Sequence, residues 1–136
     1  MIKDFSKYTD YIIEQAQALL AIDSPSGYGK EVTEYLLAEL QKIGVPARRT
    51  VKGGVLAEFG GRDREDAVLL EAHCDTLGAM VHEIKTNGRL KAVNIGGMMA
   101  ANAEAENCRI LTRTGKIYEG TCQLADASVH VNGDYG

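Results

Sequence analysis

The sequence has no excess of basic residues, no long apolar run and no closely spaced cysteine pair. Its 15 basic and 19 acidic residues give a net charge of −4, which argues against nucleic acid or an anionic membrane as the main partner. No stretch approaches the roughly 18 uncharged apolar residues of a membrane span, and the N-terminal segment MIKDFSKYTD has no apolar signal-peptide core. The three cysteines are odd in number and widely spaced, so we expect free thiols in a reducing, cytoplasmic compartment.

Two amphipathic helices are predicted in the first third of the chain. Apolar residues recur at helical spacing over residues 4–22 and again over about 30–43, where Gly44 and Pro46 end the second pattern. The apolar stripes consist of Phe5, Tyr8, Ile12, Ala16, Leu19 and Leu20 in the first helix and of Val32, Leu36, Leu40 and Ile43 in the second. Ser24 and Ser26 precede the second helix, where capping is the default role of a serine.

Short strand patterns follow these helices. Residues 47–52 and 55–59 flank Gly53-Gly54, which predicts a hairpin with a two-residue turn. Residues 67–72, AVLLEA, form an apolar run typical of a strand buried inside a sheet. After Gly78, segments 79–85, 90–93, 109–113 and 116–121 predict a small antiparallel β unit with turns at Asn87-Gly88 and Thr114-Gly115, and residues 96–107 a loop or short helix. A domain boundary near Gly78 follows from this change of pattern.

His73 and Asp75 follow the predicted buried strand directly. Reactive groups cluster at the carboxyl ends of strands in α/β sheets, and residues two apart in an extended segment point to the same side. The two residues can therefore share one site, in which His73 binds a metal and Asp75 accepts the other imidazole N–H. Three plainer interpretations stay open: a hydrogen-bonded core histidine, a turn or helix-cap aspartate, or two surface residues without a task.

The remaining cysteines and histidines carry weaker signals. Cys74 is a candidate thiolate nucleophile only if a base and an oxyanion site accompany it, and is otherwise a small buried residue. Cys108 and Cys122 are predicted to lie in the core. His82 and His130 lie in alternating strand segments and are predicted to face solvent or to be hydrogen-bonded, with metal binding as the alternative.

The order of these segments resembles the N-terminal part of the glutamyl aminopeptidase family of co-catalytic di-metal peptidases. The resemblance rests on an AH-x-D-x-x-G-x-M-V segment, which is matched by Ala72, His73, Asp75, Gly78, Met80 and Val81. A weaker mark is a glycine pair that opens the later β domain, matched at Ile95-Gly96-Gly97. The similarity covers essentially the whole chain.

The resemblance implies an α/β fold and two domains with different functions. Residues 1–77 would be the N-terminal part of a helix-flanked catalytic α/β metallopeptidase domain, and residues 78–136 an incomplete, β-rich dimerisation domain that builds homo-oligomers. The implied reaction is removal of N-terminal residues from peptide substrates with two divalent metal ions, zinc or cobalt. His73 would be a ligand to one ion, and Asp75 a catalytic-site residue that orients His73.

The family's other metal ligands and its glutamate base have no positions in this chain onto which they can be carried. A two-metal site needs several ligands for each ion, so we expect an N-terminal fragment of a longer enzyme that is inactive alone. Two alternatives stay open. The first is a non-catalytic oligomerisation or interaction module that uses the edges of the β segments. The second is an esterase or thiol enzyme that uses Cys74.

Overall fold

The computed structural model describes residues 4–63 and 65–124, which contain helices and small two-stranded sheets in chain order. This mixture confirms the predicted α/β class. The chain divides into two compact units between Ala79 and Met80. The prediction for His130, and that part of the predicted β domain which spans 125–136, lie outside the described residues.

Both predicted helices are confirmed. A 3-10 turn at Ser6–Tyr8 leads into α1 (Thr9–Leu20), and α2 covers Lys30–Lys42. Gly44 ends α2 as predicted, because its φ of +74° is a left-handed conformation that glycine adopts without strain. In that conformation the N–H of Gly44 reaches the carbonyl of Gln41, and the N–H of Val45 that of Leu40.

Helix α1 forms, but its apolar stripe lies largely in solvent. Phe5, Ile12 and Leu20 are 63%, 60% and 77% exposed, and none of the residues of α1 is buried. The hydroxyl of Tyr35 in α2 donates to Gln15 Oε1 of α1 over 2.8 Å. A polar contact therefore links the two helices, whereas most of the amphipathic face of α1 stays uncovered by the described residues.

The buried centre of the first unit lies on α2. Val32 and Thr33 are 2% and 4% exposed, and α2 packs against the hairpin of β1 (Ala47–Arg49) and β2 (Val55–Ala57). The Thr33 hydroxyl lies 2.7 Å from both the Gly29 and the Gly53 carbonyl oxygens. This one side chain therefore joins the first turn of α2 to the turn of the hairpin.

The predicted hairpin exists, but its turn is longer than the glycine pair suggested. β1 and β2 pair in antiparallel register from Ala47 opposite Ala57 to Arg49 opposite Val55, which leaves residues 50–54 as the connection. The Thr50 side-chain oxygen accepts the N–H of Gly54, and Gly53 has a φ of +87°. The two-residue turn was wrong because Thr50 closes a wider loop with its own hydroxyl.

The prediction that residues 67–72 form a buried strand is wrong for this structure. The segment pairs with no strand in the described ranges, and Val68, Leu69 and Leu70 are 86%, 75% and 88% exposed. An apolar run becomes a sheet strand only when neighbouring strands accept its backbone hydrogen bonds. None of the six described strands lies beside it, so its sequence alone does not order it as a strand.

The remaining described strands form two hairpins. β3 (Gly78–Ile84) is hydrogen-bonded to β4 (Leu90–Ile95), and β5 (Asn107–Leu111) pairs antiparallel with β6 (Ile117–Thr121). The predicted turns are confirmed, since Gly88 and Gly115 have φ values of +80° and +81°. Residues 96–107, predicted as a loop or short helix, contain a 3-10 turn at Ala100–Ala103. The assignment of a catalytic domain at 1–77 and a dimerisation domain at 78–136 stays a prediction.

Cys108 is exposed on β5 rather than in a core, because its two-stranded sheet has no second layer within the described residues. Its thiol donates to the Gly120 carbonyl across the hairpin over 3.3 Å. Cys74 and Cys122 are partly buried, and all three cysteines are free thiols as expected. Among the helices described, none is both long enough and apolar enough to cross a membrane.

Replacing Thr33 by valine should destabilise the first unit by about 1–3 kcal/mol. Valine keeps the branched shape but removes the hydroxyl that the Gly29 and Gly53 carbonyls share. Thr33→Ser, which keeps the hydroxyl, is the matched control and should lose less. Urea unfolding followed by circular dichroism measures both variants. A Thr33→Val variant as stable as the wild type would show that these bonds do not hold α2 to the hairpin.

Candidate functional site

The site is built on an extended segment, residues 73–76, that is bound to the loop between α1 and α2. Ser24 is 1% exposed and makes three hydrogen bonds to this segment. Its hydroxyl donates to the Cys74 carbonyl over 2.8 Å, its N–H donates to Thr76 Oγ1 over 3.1 Å, and its carbonyl accepts the Thr76 N–H over 3.1 Å. The backbone on both sides of Asp75 is thereby fixed without a regular strand.

Gly78 closes the same contact. A Cβ atom built on Gly78 would lie 2.6 Å from the Cβ and 3.2 Å from the Cγ of Pro25, far inside van der Waals distance. Any larger residue at this position would therefore push the loop of Ser24 and Pro25 away from residues 73–76. This close approach gives the glycine of the AH-x-D-x-x-G segment a physical role.

His73 and Asp75 meet as the spacing predicted. The imidazole Nδ1 lies 2.8 Å from Asp75 Oδ1. An ionised carboxylate can only accept hydrogen bonds, so Nδ1 carries a proton, and the lone pair of the neutral imidazole is then on Nε2. The His73 side chain is 88% exposed and that of Asp75 51%, so Nε2 is open to solvent.

The second oxygen of the Asp75 carboxylate also has a donor. Ser26 Oγ donates to Asp75 Oδ2 over 3.0 Å. The hydrogen bond from Ser26 and, next, that from His73 lower the pKa of Asp75, since both stabilise the ionised form. The carboxylate therefore stays charged at neutral pH and holds the imidazole in one tautomer.

Sequence reasoning missed the role of the two serines. Helix α2 has Gly29 as its N-cap and no capping side chain, so the prediction that Ser24 and Ser26 cap this helix is wrong. Both hydroxyls turn instead to residues about 50 positions further along the chain. Local pattern could not reveal this, because a polar loop residue gives no sign of which distant backbone it will meet.

The donor set suits one ligand of a divalent metal, but not a complete site. A neutral imidazole whose N–H is held by a carboxylate is a common arrangement at protein metal sites. Within 4–63 and 65–124, no group of three or more histidine, cysteine, aspartate or glutamate side chains is placed to hold an ion. His82 is exposed on β3, in keeping with the prediction that it faces solvent.

Comparison with known proteins places this chain in a family. The model of the family described as M42 glutamyl aminopeptidase matches residues 53–135, which is more than half of the chain and includes His73 and Asp75. Peptidases of this family are metal-dependent. YhfE of Bacillus subtilis is 44% identical over 124 residues, which cover 91% of this chain and 36% of YhfE.

Two further proteins have similar sequences or structures. The glutamyl aminopeptidase of Lactococcus lactis is 27% identical over 106 residues, covering 77% of this chain and 30% of that enzyme. The solved structure of aminopeptidase APDkam598 from the archaeon Desulfurococcus kamchatkensis matches with a TM-score of 0.73 and 28% identity, over 84% of this chain and 32% of that one. The chain therefore spans about a third of the length of these proteins.

Ser26→Ala should raise the pKa of Asp75 toward its ordinary value, because the variant lacks the hydroxyl that stabilises the carboxylate. A depressed pKa stabilises the fold above the unfolded value, near pH 3.9, and this contribution is lost as pH falls through the lower folded value. The stability of both proteins should therefore start to fall near the unfolded-state pKa, and below that pH the variant should lose less stability than the wild type.

Carboxyl ¹³C chemical shifts measured against pH give the pKa of Asp75 directly. Ser6→Ala is the control for loss of an exposed serine hydroxyl elsewhere in the chain. Ser6 lowers the pKa of Asp4 first through its backbone N–H, which alanine keeps, and then through its side chain. This variant should therefore change the titration of Asp4 only in part and leave that of Asp75 unchanged. An Asp75 titration that is identical in wild type and Ser26→Ala would contradict the hydrogen bond.

Proposed function

Because the chain belongs to the M42 glutamyl aminopeptidase family, we propose that the full-length protein is a metal-dependent aminopeptidase acting on N-terminal residues of peptides. The observation that carries the proposal is the His73–Asp75 pair, which lies inside the matched region with its imidazole Nε2 free to bind a cation. Similarity to the Lactococcus lactis glutamyl aminopeptidase supports the same reaction class.

His73 would donate Nε2 to one of two divalent ions, zinc or cobalt, and Asp75 would hold its Nδ1 proton. Such ions supply the Lewis acidity that peptide hydrolysis needs. Asp75 contributes by fixing the orientation of the imidazole, because its carboxylate accepts a hydrogen bond from Nδ1–H and so leaves Nε2 as the nitrogen that faces the ion. Within residues 4–63 and 65–124, His73 is the side chain that such an ion would use.

A cytoplasmic location and homo-oligomers complete the proposal. The three free thiols fit a reducing compartment. The β hairpins of the second unit expose several large apolar side chains, as a surface that associates with a second copy would. They include Met80, Val81 and Ile84 on β3, Leu90 and Val93 on β4, and Ile117 and Tyr118 on β6.

In the full-length protein, His73→Ala should lose one metal ion per subunit and most peptidase activity. The matched control is His82→Ala, which removes an exposed histidine from β3 and should change neither. Metal content by mass spectrometry and hydrolysis of an aminoacyl nitroanilide measure the two effects. Unchanged metal content and turnover in His73→Ala would refute the assignment. Resistance to chelators combined with inactivation by thiol alkylation would point to Cys74 chemistry instead.

Ile84→Asp should lower the oligomeric state of the full-length protein. Ile84 is 74% exposed at the end of β3, and an aspartate there would place a charge in an apolar subunit contact. Val51→Asp is the control, because Val51 is fully exposed in the turn between β1 and β2. Light scattering gives the mass of each variant. Equal masses for wild type and Ile84→Asp would show that β3 does not contribute to the contact.

A further inference from the structure

The loop of Ser24, Pro25 and Ser26, called here the serine loop, contacts residues 73–78 in two separable ways. Ser24 and Pro25 hold the backbone: Ser24 through its three hydrogen bonds, and Pro25 through its close approach to Gly78. Ser26 touches a functional group instead, since its hydroxyl donates to Asp75 Oδ2. Buried Ser24 therefore holds the backbone of the site, whereas exposed Ser26 contacts the carboxylate of Asp75.

The two donors to Asp75 approach different oxygens. His73 Nδ1 donates to Oδ1 over 2.8 Å, and Ser26 Oγ to Oδ2 over 3.0 Å. A carboxylate torsion is broad and roughly two-fold, so a single hydrogen bond leaves the carboxylate free to swing. A second donor on the other oxygen fixes the plane of the carboxylate. Because the Asp75 side chain is half exposed, packing restrains its carboxylate less than it would restrain a buried one.

We propose that Ser26 is a positioning residue for the metal ligand His73, acting through Asp75. By holding Oδ2 it fixes Oδ1, and Oδ1 in turn holds the imidazole Nδ1 so that Nε2 is presented to a divalent cation in one orientation. This inference rests on the proposed function, because it assumes that His73 binds metal. The proposal gives Ser26 a role in metal affinity and turnover, whereas the sequence pattern predicted only that Ser26 caps a helix.

Ser26 is not a nucleophile in this arrangement. A serine nucleophile needs an imidazole nitrogen that accepts its proton. Here the serine hydroxyl donates to the aspartate, and the histidine nitrogen that faces the aspartate is the protonated Nδ1. The order serine–aspartate–histidine is therefore a chain of hydrogen bonds that leads to Nε2 as the reactive end.

A purely structural role for Ser26 predicts a different outcome from a positioning role. The serine loop is already fixed by Ser24 and Pro25, so loss of the Ser26 hydroxyl should leave the fold intact. Groups that orient metal ligands change metal affinity about 10–100-fold when removed. Since Ser26 acts through Asp75 and not on the ligand itself, we expect the lower end of that range.

The test compares Ser26→Ala, Ser26→Thr and Ser6→Ala in the full-length protein. Zn²⁺ affinity is measured by competition with a chromogenic chelator, and the melting temperature is measured on the metal-free protein. Ser26→Ala should weaken Zn²⁺ binding at one site about tenfold and lower kcat with little change in KM. The metal-free melting temperature should fall only slightly, because the variant loses one exposed hydrogen bond. Ser26→Thr, which keeps a hydroxyl, should restore Zn²⁺ affinity, and Ser6→Ala should behave as wild type.

A double-mutant cycle makes the route through Asp75 explicit. In an Asp75→Ala background, Ser26→Ala should cause no further loss of Zn²⁺ affinity, because the group that it positions is gone. Fully additive losses would overturn the proposal, as would wild-type Zn²⁺ affinity in Ser26→Ala. A large fall in the metal-free melting temperature that threonine does not rescue would also overturn it, in favour of a structural role. These failures leave the proposed function standing so long as His73→Ala still loses its metal ion, whereas retention of metal by His73→Ala refutes both.

Discussion

The hydrogen bonds of Ser24 are the constraint on which the site depends. They join a loop between two helices to a segment about 50 positions later, and they fix the backbone on either side of Asp75. Because Ser24 is almost fully buried, loss of its hydroxyl would leave the Cys74 carbonyl without its partner. Residues 73–76 are thus ordered by hydrogen bonds to the loop that contains Ser24. In a sheet, hydrogen bonds to a neighbouring strand would order such a segment.

The chemistry of the site follows from what that anchoring leaves exposed. His73 and Asp75 both reach solvent, yet each has a defined partner, and the carboxylate has one donor on each oxygen. The lowered pKa of Asp75 keeps the acceptor charged, which sets the tautomer of the imidazole. A single oriented nitrogen can serve as one ligand to a metal but does not make a metal site, which needs several ligands.

Structural features that depend on residues close together in the sequence were predictable. Helix α2 and its end at Gly44 follow from apolar spacing and from a glycine that tolerates a left-handed backbone, and the turns at Gly88 and Gly115 follow for the same reason. Features set by distant partners were not. Residues 67–72 have the composition of an inner strand, but composition does not supply the neighbouring strands, and the segment is exposed.

The sequence by itself determined the two helices, the β hairpins and the pairing of His73 with Asp75, because each depends on residues within a few positions of one another. It also determined the family, through the AH-x-D-x-x-G-x-M-V segment. Only the tertiary structure decided what Ser24, Ser26 and Gly78 do. Their partners lie about 50 positions away, and a hydroxyl in a loop becomes an anchor or a positioning group only when folding brings a particular carbonyl or carboxylate within 3 Å of it.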